Sequence, residues 1–201
     1  MAGATNNELR IMQGALVTNV GLMAVGGVSN RAWISTGGRL YTVGGTIGNA
    51  AAMNSNEVVV TGEGSKWNAG GGVLALGVSA AATGNVLTVD NGGTVENAIL
   101  VAHTNNRVNL LGGRISIVRA GVTNGLVFEV GDGNQDASLI LMNGVGHFWN
   151  GVLVQSNALV GGIGDIQGGP VVLTNGGILS PGISGAGSLT VGGTKFDWAQ
   201  G

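Results

Sequence analysis

The stretch Leu87-Thr-Val-Asp-Asn-Gly-Gly-Thr-Val95 decides the fold of this chain. Leu87 and Val89 alternate with polar residues, which is the period-two pattern of a β-strand that buries one face. An Asn-Gly-Gly turn follows, and a second apolar strand begins directly after it. Because this strand–turn–strand motif recurs along the chain, it predicts a structure built by repetition rather than from helices.

Each copy of the motif carries a glycine at its turn, and these glycines are Gly14, Gly38, Gly64, Gly93, Gly113, Gly146 and Gly177. The gaps between them are uneven: the shortest runs from Gly93 to Gly113 and the longest from Gly113 to Gly146. Periods of roughly 20 to 50 residues are typical of solenoids and repeat arrays. Uneven spacing suits a β-helix, since its strands stack in register while the turns between them differ in length. We therefore expect about seven to nine coils and a rod of ~35–45 Å, with about 4.8 Å added by each coil.

The predicted fold is all-β: a right-handed single-stranded parallel β-helix (β-solenoid), forming one domain over residues 1–201. Second strands within the coils are visible at residues 21–26, 73–77 and 98–102. The pairs expected to face inward are Val58/Val60, Leu87/Val89, Val108/Leu110, Ile115/Ile117 and Leu139/Leu141. The alternative fold is an antiparallel sandwich whose hairpins turn at Asn91-Gly92, Asn143-Gly144 and Asn175-Gly176.

Composition excludes several classes of protein. With 41 Gly, 9% charged residues and 44% hydrophobic residues, the chain matches neither a disordered segment nor a helical protein. The 8 basic and 10 acidic residues form no basic cluster, so we predict no nucleic-acid partner. The chain has no apolar run long enough to span a membrane, which predicts no membrane insertion. The absence of Cys excludes disulfides and thiolate metal sites.

A family likeness lies mainly between residues 127 and 193. Its segments are Val130–Leu139, Gly144–Gly151, Gly161-Gly-Ile-Gly-Asp-Ile-Gln-Gly168, Asn175-Gly-Gly-Ile-Leu-Ser-Pro-Gly182 and Ser188-Leu-Thr-Val-Gly-Gly193. They resemble the autotransporter-associated β-strand repeat, found in the passenger-type β-helices of bacterial surface proteins. Val59–Trp67 resembles another motif of the same proteins, and residues 183–187 depart from the family pattern. The resemblance implies a parallel β-helix, export, and an extracellular or cell-surface location.

Asp132-Gly-Asn-Gln-Asp136 has the spacing of a calcium loop. A helix-flanked calcium loop needs Gly at its sixth position and an acid at its twelfth, and here these are Ala137 and Asn143. We therefore predict no metal site and no cofactor, although the sequence leaves calcium at Asp132–Asp136 open.

Catalytic groups are sparse in the sequence. His103 and His147 are the only histidines, and neither neighbours an evident nucleophile and carboxylate. A polysaccharide-degrading β-helix needs clustered acids; the candidates are Glu57, Glu63, Asp132, Asp136 and Asp165. A sugar-binding adhesin needs an exposed aromatic row; the candidates are Trp33, Tyr41, Trp67 and Trp149.

We predict no catalytic residues and a structural or adhesive role as a surface stalk, spacer or fibre subunit. Residues 1–8 and the segment Leu189–Trp198 show no polar cap, so we expect a piece of a longer solenoid or a subunit that stacks end to end with itself. Surface glycans and other cell-surface proteins are further candidate partners. The main alternative is a polysaccharide-binding or polysaccharide-degrading β-helix; scattered threonines argue against an ice-binding one.

Overall fold

The computed structural model describes residues 4–123, 125–182 and 185–198, and every regular element in these ranges is a β-strand. Ile183 and Ser184, within the segment that departs from the family pattern, lie outside the described residues. In chain order the strands are β1 (Glu8–Ile11), β2 (Leu16–Val25), β3 (Arg31–Ser35), β4 (Arg39–Ile47), β5 (Glu57–Thr61), β6 (Lys66–Asn68), β7 (Val73–Leu76), β8 (Val86–Asp90), β9 (Gly93–Ala102), β10 (Arg107–Leu110), β11 (Gly113–Val122), β12 (Phe128–Val130), β13 (Ala137–Phe148), β14 (Val152–Val154), β15 (Ala158–Gly168), β16 (Val171–Leu173), β17 (Ile178–Pro181), β18 (Leu189–Gly193) and β19 (Phe196–Trp198).

The strands form two parallel sheets that wind into a β-solenoid of about eight turns. The first sheet has the order β1-β3-β5-β8-β10-β12-β14-β16-β19. The second runs β2-β4-β6-β9-β11-β13-β15-β17, with β7 also between β4 and β9 and β18 also beside β15. Adjacent strands of a sheet thus come from successive coils, which confirms the predicted parallel solenoid. The hairpins of a sandwich are excluded, because they would place consecutive strands antiparallel in one sheet.

Coil length varies as predicted, but the second half of the chain contains one more coil than the spacing of the glycines indicates. Along the second sheet, for example, the coil from Lys66 to its register partner Thr94 is longer than the coil from Leu159 to Ile178. Between Gly113 and Gly177 the register places two intermediate coils, which begin at Ala137 and Ala158. The prediction of a single anchor at Gly146 was wrong, because that glycine lies inside β13, and an alanine occupies the corner position in both coils.

The core confirms the predicted inward rows. Val60, Val89 and Leu110 lie in register on consecutive strands of the first sheet and are at most 1% exposed. The other predicted pairs are also buried, and together they form one hydrophobic cluster from Ile11 to Leu173. The two sheets face each other across a narrow interior. Within each coil this interior is filled mainly by Val, Ile and Leu side chains from both sheets.

The Asn-Gly pairs do not make hairpins. Asn91 and Gly92 both have positive φ (48° and 80°), yet they join β8 of the first sheet to β9 of the second. The glycine after them, Gly93, has no room for a Cβ because the carbonyl of Val60 in the preceding coil approaches too closely. Asn143, at φ 59°, lies inside β13 at a register shift, where it makes a β-bulge.

The buried amide of Asn97 has no partner in the described part of the chain at either of its polar atoms. Asn97 of β9 is 2% exposed, and neither its Nδ2 nor its Oδ1 makes a hydrogen bond to any described residue. An unsatisfied buried amide costs about 1–3 kcal/mol. We expect Asn97→Val to raise the free energy of unfolding by about 1 kcal/mol or more, as measured by urea denaturation. Asn68→Val is the control, since the Asn68 amide is bonded to Glu96 and Gly70 and should bring no gain. A lower stability of Asn97→Val than of wild type would show that a water or another group satisfies the amide.

Candidate functional site

A column of asparagines lines one corner of the solenoid. Asn30, Asn56, Asn85 and Asn106 directly precede β3, β5, β8 and β10, and each is at most 6% exposed. The corner positions stack because the strands after them pair in register. Exposed Asn7, which precedes β1, begins the same column.

Each asparagine before Asn106 donates to the asparagine of the next coil. Asn56 donates from its backbone N–H and from Nδ2 to Oδ1 of Asn85, at 3.1 and 2.9 Å. Asn85 donates in the same way to Oδ1 of Asn106, at 3.0 and 2.8 Å. The remaining Nδ2 proton goes to a carbonyl of the corner, as from Asn85 to Met53. One side-chain oxygen thus satisfies two donors of its neighbour, so the column is a structural ladder that fixes the register of successive coils.

The sequence prediction missed this ladder, although its signal is in the sequence. An asparagine stands directly before Glu8, Arg31, Glu57, Val86 and Arg107, each the first residue of a strand. The glycines of the predicted repeat lie at the opposite end of each of these strands, so their spacing does not show this second periodicity. From Asn30 to Asn106 the ladder is buried and its amides are bonded within the protein, so this part of it is not a site for a ligand.

The aromatic candidates do not form one platform. Trp67 is fully buried in the core, and its Nε1 donates to Oγ1 of Thr42 at 3.1 Å. Trp33 is half-buried on the first sheet and Tyr41 half-buried on the second. Trp149 is 61% exposed after β13, with its ring 4.6 Å from that of His147. A continuous row of sugar-stacking rings is therefore not present among the described residues.

The histidines are not arranged as a catalytic pair. His147 lies in β13 and His103 follows β9, two rungs away in the same sheet, a separation of about 10 Å or more. Nε2 of His147 is buried and has no hydrogen-bond partner among the described residues, while its ring packs on Trp149. The direct neighbours of His147 in the sheet are Gly121 and Gln167, neither of which is a nucleophile or an acid.

The acidic candidates are not gathered at one place. Oδ1 of Asp132 accepts the backbone N–H groups of Asn134 and Gln135, and the bond from Asn134 lowers the pKa of Asp132 below its ordinary value. Asp165 lies on the outer face of β15 between Val145 and Thr190, far along the sheet from that turn. Within residues 4–123, 125–182 and 185–198, no three His, Asp or Glu side chains are close enough to hold a metal ion.

Much of the remaining charge is neutralised in pairs on the outer faces. These pairs are Glu8–Arg10, Arg31–Glu57, Lys66–Glu96 and Lys195–Asp197, with N···O distances from 2.6 to 3.4 Å. The pair Arg31–Glu57 joins neighbouring strands of the first sheet, whereas the pairs of Arg10 and Lys195 lie within one strand or at its start. Glu57 and Glu63, which flank β5, therefore differ: the first is paired with arginine and the second is exposed at a turn.

Among the described strands of the first sheet, β10 and β12 are the pair with the least continuous pairing. β10 and β12 share a single register pair, Leu110 with Val130, whereas β8 and β10 share four. A cavity of about 240 Å³ lies where the two strands separate, with exposed Leu126 and Val127 on one side of it.

No helix in the described part of the chain could cross a bilayer. The chain matches no known protein family, no curated protein and no solved structure.

Proposed function

We propose that this protein is a structural and adhesive extracellular β-solenoid, a stalk, spacer or fibre subunit of a bacterial surface, and that it associates with itself end to end. The observation that carries the proposal is the uninterrupted core of about eight stacked turns. A location outside the cell rests on the resemblance of Val130–Gly193 to passenger-type repeats.

Mechanical continuity supports the structural role. Every coil is tied to the next by parallel strand pairs in both sheets and, in the first half of the chain, by the asparagine ladder. Bending the rod would break several hydrogen bonds of one interface together, because they lie at one level of the stack. A chain so tied is suited to hold its two ends at a fixed distance.

The engagement of the acids supports a role without catalysis. Hydrolysis of a glycosidic bond needs two carboxyl groups facing one substrate. Glu57 and Glu96 are instead bonded to cations of neighbouring strands, and Asp132 accepts backbone N–H groups of its own turn. We therefore propose that these acids stabilise turns and faces of the solenoid.

The last described coil presents apolar side chains that are positioned for a core. Phe196 and Trp198 of β19 stand in register with Val171 and Leu173 of β16, which are buried. Phe196 is nevertheless 45% exposed and Trp198 76% exposed. A further coil stacked on β19 would bury both rings, and burial of large apolar side chains is strongly favourable.

The opposite end has a complementary form. Leu9 of β1 aligns with buried Ala32 but is 46% exposed. Beside it lies a hollow of about 290 Å³ that is also lined by Met23 and Val25. Oδ1 of Asn7 accepts no hydrogen bond from the described residues, although the same atom of each later asparagine of the ladder does.

The occupant that we propose for both ends is a second copy of this chain, stacked as one more set of coils. Edge strands β1 and β19 would pair, Phe196 and Trp198 would enter the hollow, and Oδ1 of Asn7 would extend the ladder. Such a head-to-tail contact is open rather than closed, so it produces filaments. The low charge of the chain, a net −2, offers little repulsion against this contact.

Sedimentation velocity tests the contact. We expect the mean mass of the wild type to rise with concentration and that of Phe196→Lys/Trp198→Lys to stay at one chain, because lysine leaves charged groups in the buried joint. Trp149→Lys is the control, since this tryptophan is also exposed but lies on the side of the rod, after β13. A wild type that stays monomeric at every concentration, or a control that loses association equally, would contradict the proposal.

A further inference from the structure

A row of four residues, three of them cations, runs along the axis of the solenoid near the first residues of the strands of the second sheet. Arg39, Lys66, Thr94 and Arg114 are in register on β4, β6, β9 and β11. Their side chains lie on the outer face, because the residues after them, such as Trp67 and Val95, are fully buried. At about 4.8 Å per rung the row is about 14 Å long.

The row is only partly neutralised. Nζ of Lys66 lies 2.7 Å from Oε2 of Glu96. The guanidinium of Arg39 has no hydrogen bond or ion pair with any described residue, and Nε of Arg114 donates to the neutral hydroxyl of Ser116 at 2.9 Å. The guanidinium groups therefore keep most of their N–H donors free, and such planar donors fit carboxylate and sulfate groups.

A second row, two residues further along each strand, adds hydrogen-bonding groups that are mostly neutral. It contains Tyr41, Asn68, Glu96 and Ser116 in register. Tyr41 and Glu96 of this row, together with the whole first row, line a shallow groove of about 370 Å³, with Gly64 and Ser65 at its edge. Ser116 is 1% exposed and lies beneath the groove. The groove therefore offers cations beside the phenol of Tyr41, the hydroxyl of Thr94 and the carboxylate of Glu96, and such groups bind a polymer that carries both anions and alcohols.

We propose that this groove, defined by Arg39, Tyr41, Lys66, Thr94, Glu96 and Arg114, binds an acidic polysaccharide whose chain runs parallel to the solenoid axis. Carboxylate or sulfate groups would bind the two arginines, and sugar hydroxyls would bind Tyr41, Thr94 and Glu96. A polysaccharide is favoured over a nucleic acid because the chain carries a net charge of −2 and the groove has one aromatic ring, not a series for stacking bases. The inference deepens the adhesive part of the proposed function and does not depend on end-to-end association.

Titration of the monomeric Phe196→Lys/Trp198→Lys protein separates this proposal from the stacking contact. The probes are heparin as the sulfated polymer, polygalacturonate as the carboxylated one, neutral dextran, and single-stranded DNA. Binding of each probe is measured by calorimetry at two salt concentrations. We expect binding of at least one acidic polysaccharide, no binding of dextran, and weaker binding of DNA. Comparing the two acidic probes identifies the preferred anion. Should the lysine variant be unfolded by circular dichroism, the same titration is run on wild type at a concentration where sedimentation shows single chains.

Arginine variants locate the site. Arg39→Gln/Arg114→Gln, introduced into the protein used for the titration, should weaken the binding of the acidic polysaccharide about tenfold or more, because two charge-assisted contacts are lost. Arg107→Gln/Arg119→Gln removes the same charge elsewhere on the solenoid and should leave affinity within about twofold. Equal losses in both variants, tighter binding of DNA, or no binding of either acidic polysaccharide at low salt would overturn the proposal. Shortening of the bound polymer during incubation would contradict the non-catalytic role.

Discussion

Val89→Asp should lower the free energy of unfolding by about 3 kcal/mol or more, enough to leave much of the protein unfolded. Val89 has no exposed surface and lies between Val60 and Leu110 in the middle of the first sheet. Aspartate at this position places a carboxyl group in an apolar layer that offers it no donor, and burial of an unpaired charge or polar group costs several kcal/mol. Urea denaturation followed by circular dichroism measures the loss.

Thr88→Asp is the matched control for this substitution. Thr88 is the adjacent residue of β8 and points to the outer face, where it is half-exposed. The same change of charge there should alter stability by no more than about 0.5–1 kcal/mol. If both variants unfold at the same urea concentration, the assignment of inward and outward faces is wrong.

Asn85→Ala should cost about 3 kcal/mol, an effect close to that of a core substitution although the residue is polar. Its Oδ1 accepts two hydrogen bonds from Asn56, and its Nδ2 donates to Oδ1 of Asn106 and to the carbonyl of Met53. Alanine removes the side chain and leaves these buried groups without partners, each at a cost of about 1–3 kcal/mol. The same urea denaturation experiment measures the effect.

The control for the ladder is Asn109→Ala on the outer face of β10. Asn109 is half-buried, and the side-chain bond it makes is a 3.4 Å contact with Oγ1 of Thr88. We expect its loss to cost under about 1 kcal/mol. Asn56→Ala/Asn85→Ala should cost less than the sum of the single variants, since both remove the same bonds. Strict additivity would show that the two amides do not act together.

The inward faces could be predicted from the sequence because alternate residues of a strand must point to the same side of the sheet. Val58 and Val60, or Leu87 and Val89, can only be buried together on one side of a strand. The prevalence of glycine and the shortage of charge then exclude helical and disordered chains. These local rules identify the strands and their inward faces, and the recurrence of the strand–turn–strand motif favours the solenoid over the antiparallel sandwich.

The count of coils in the second half could not be read from glycines alone. A glycine is needed at Gly93 because a carbonyl of the preceding coil excludes a Cβ, but the equivalent corners at Ala137 and Ala158 accommodate a methyl group. Gly146 lies mid-strand, where a Cβ would meet the ring of Phe148 rather than a turn. One residue type thus serves two packing roles, which made it an unreliable marker of position.

The surface features depend on register, which the sequence does not state. Arg39, Lys66 and Arg114 are separated by unequal stretches of sequence and have no visible relation until the strands are paired. Conversely, the tryptophans looked alike in the sequence, and the fold buries one of them while leaving another mostly exposed. Because coil length changes from one turn to the next, such alignments are inaccessible without the structure.

The most direct test of a self-associating rod is negative-stain electron microscopy of the wild type over a range of concentrations. We predict unbranched filaments one solenoid wide, which lengthen with concentration and are absent from Phe196→Lys/Trp198→Lys. Isolated rods of about 38 Å, the width of nine paired strands, at every concentration would contradict the end-to-end contact. So would sheets of rods joined side by side.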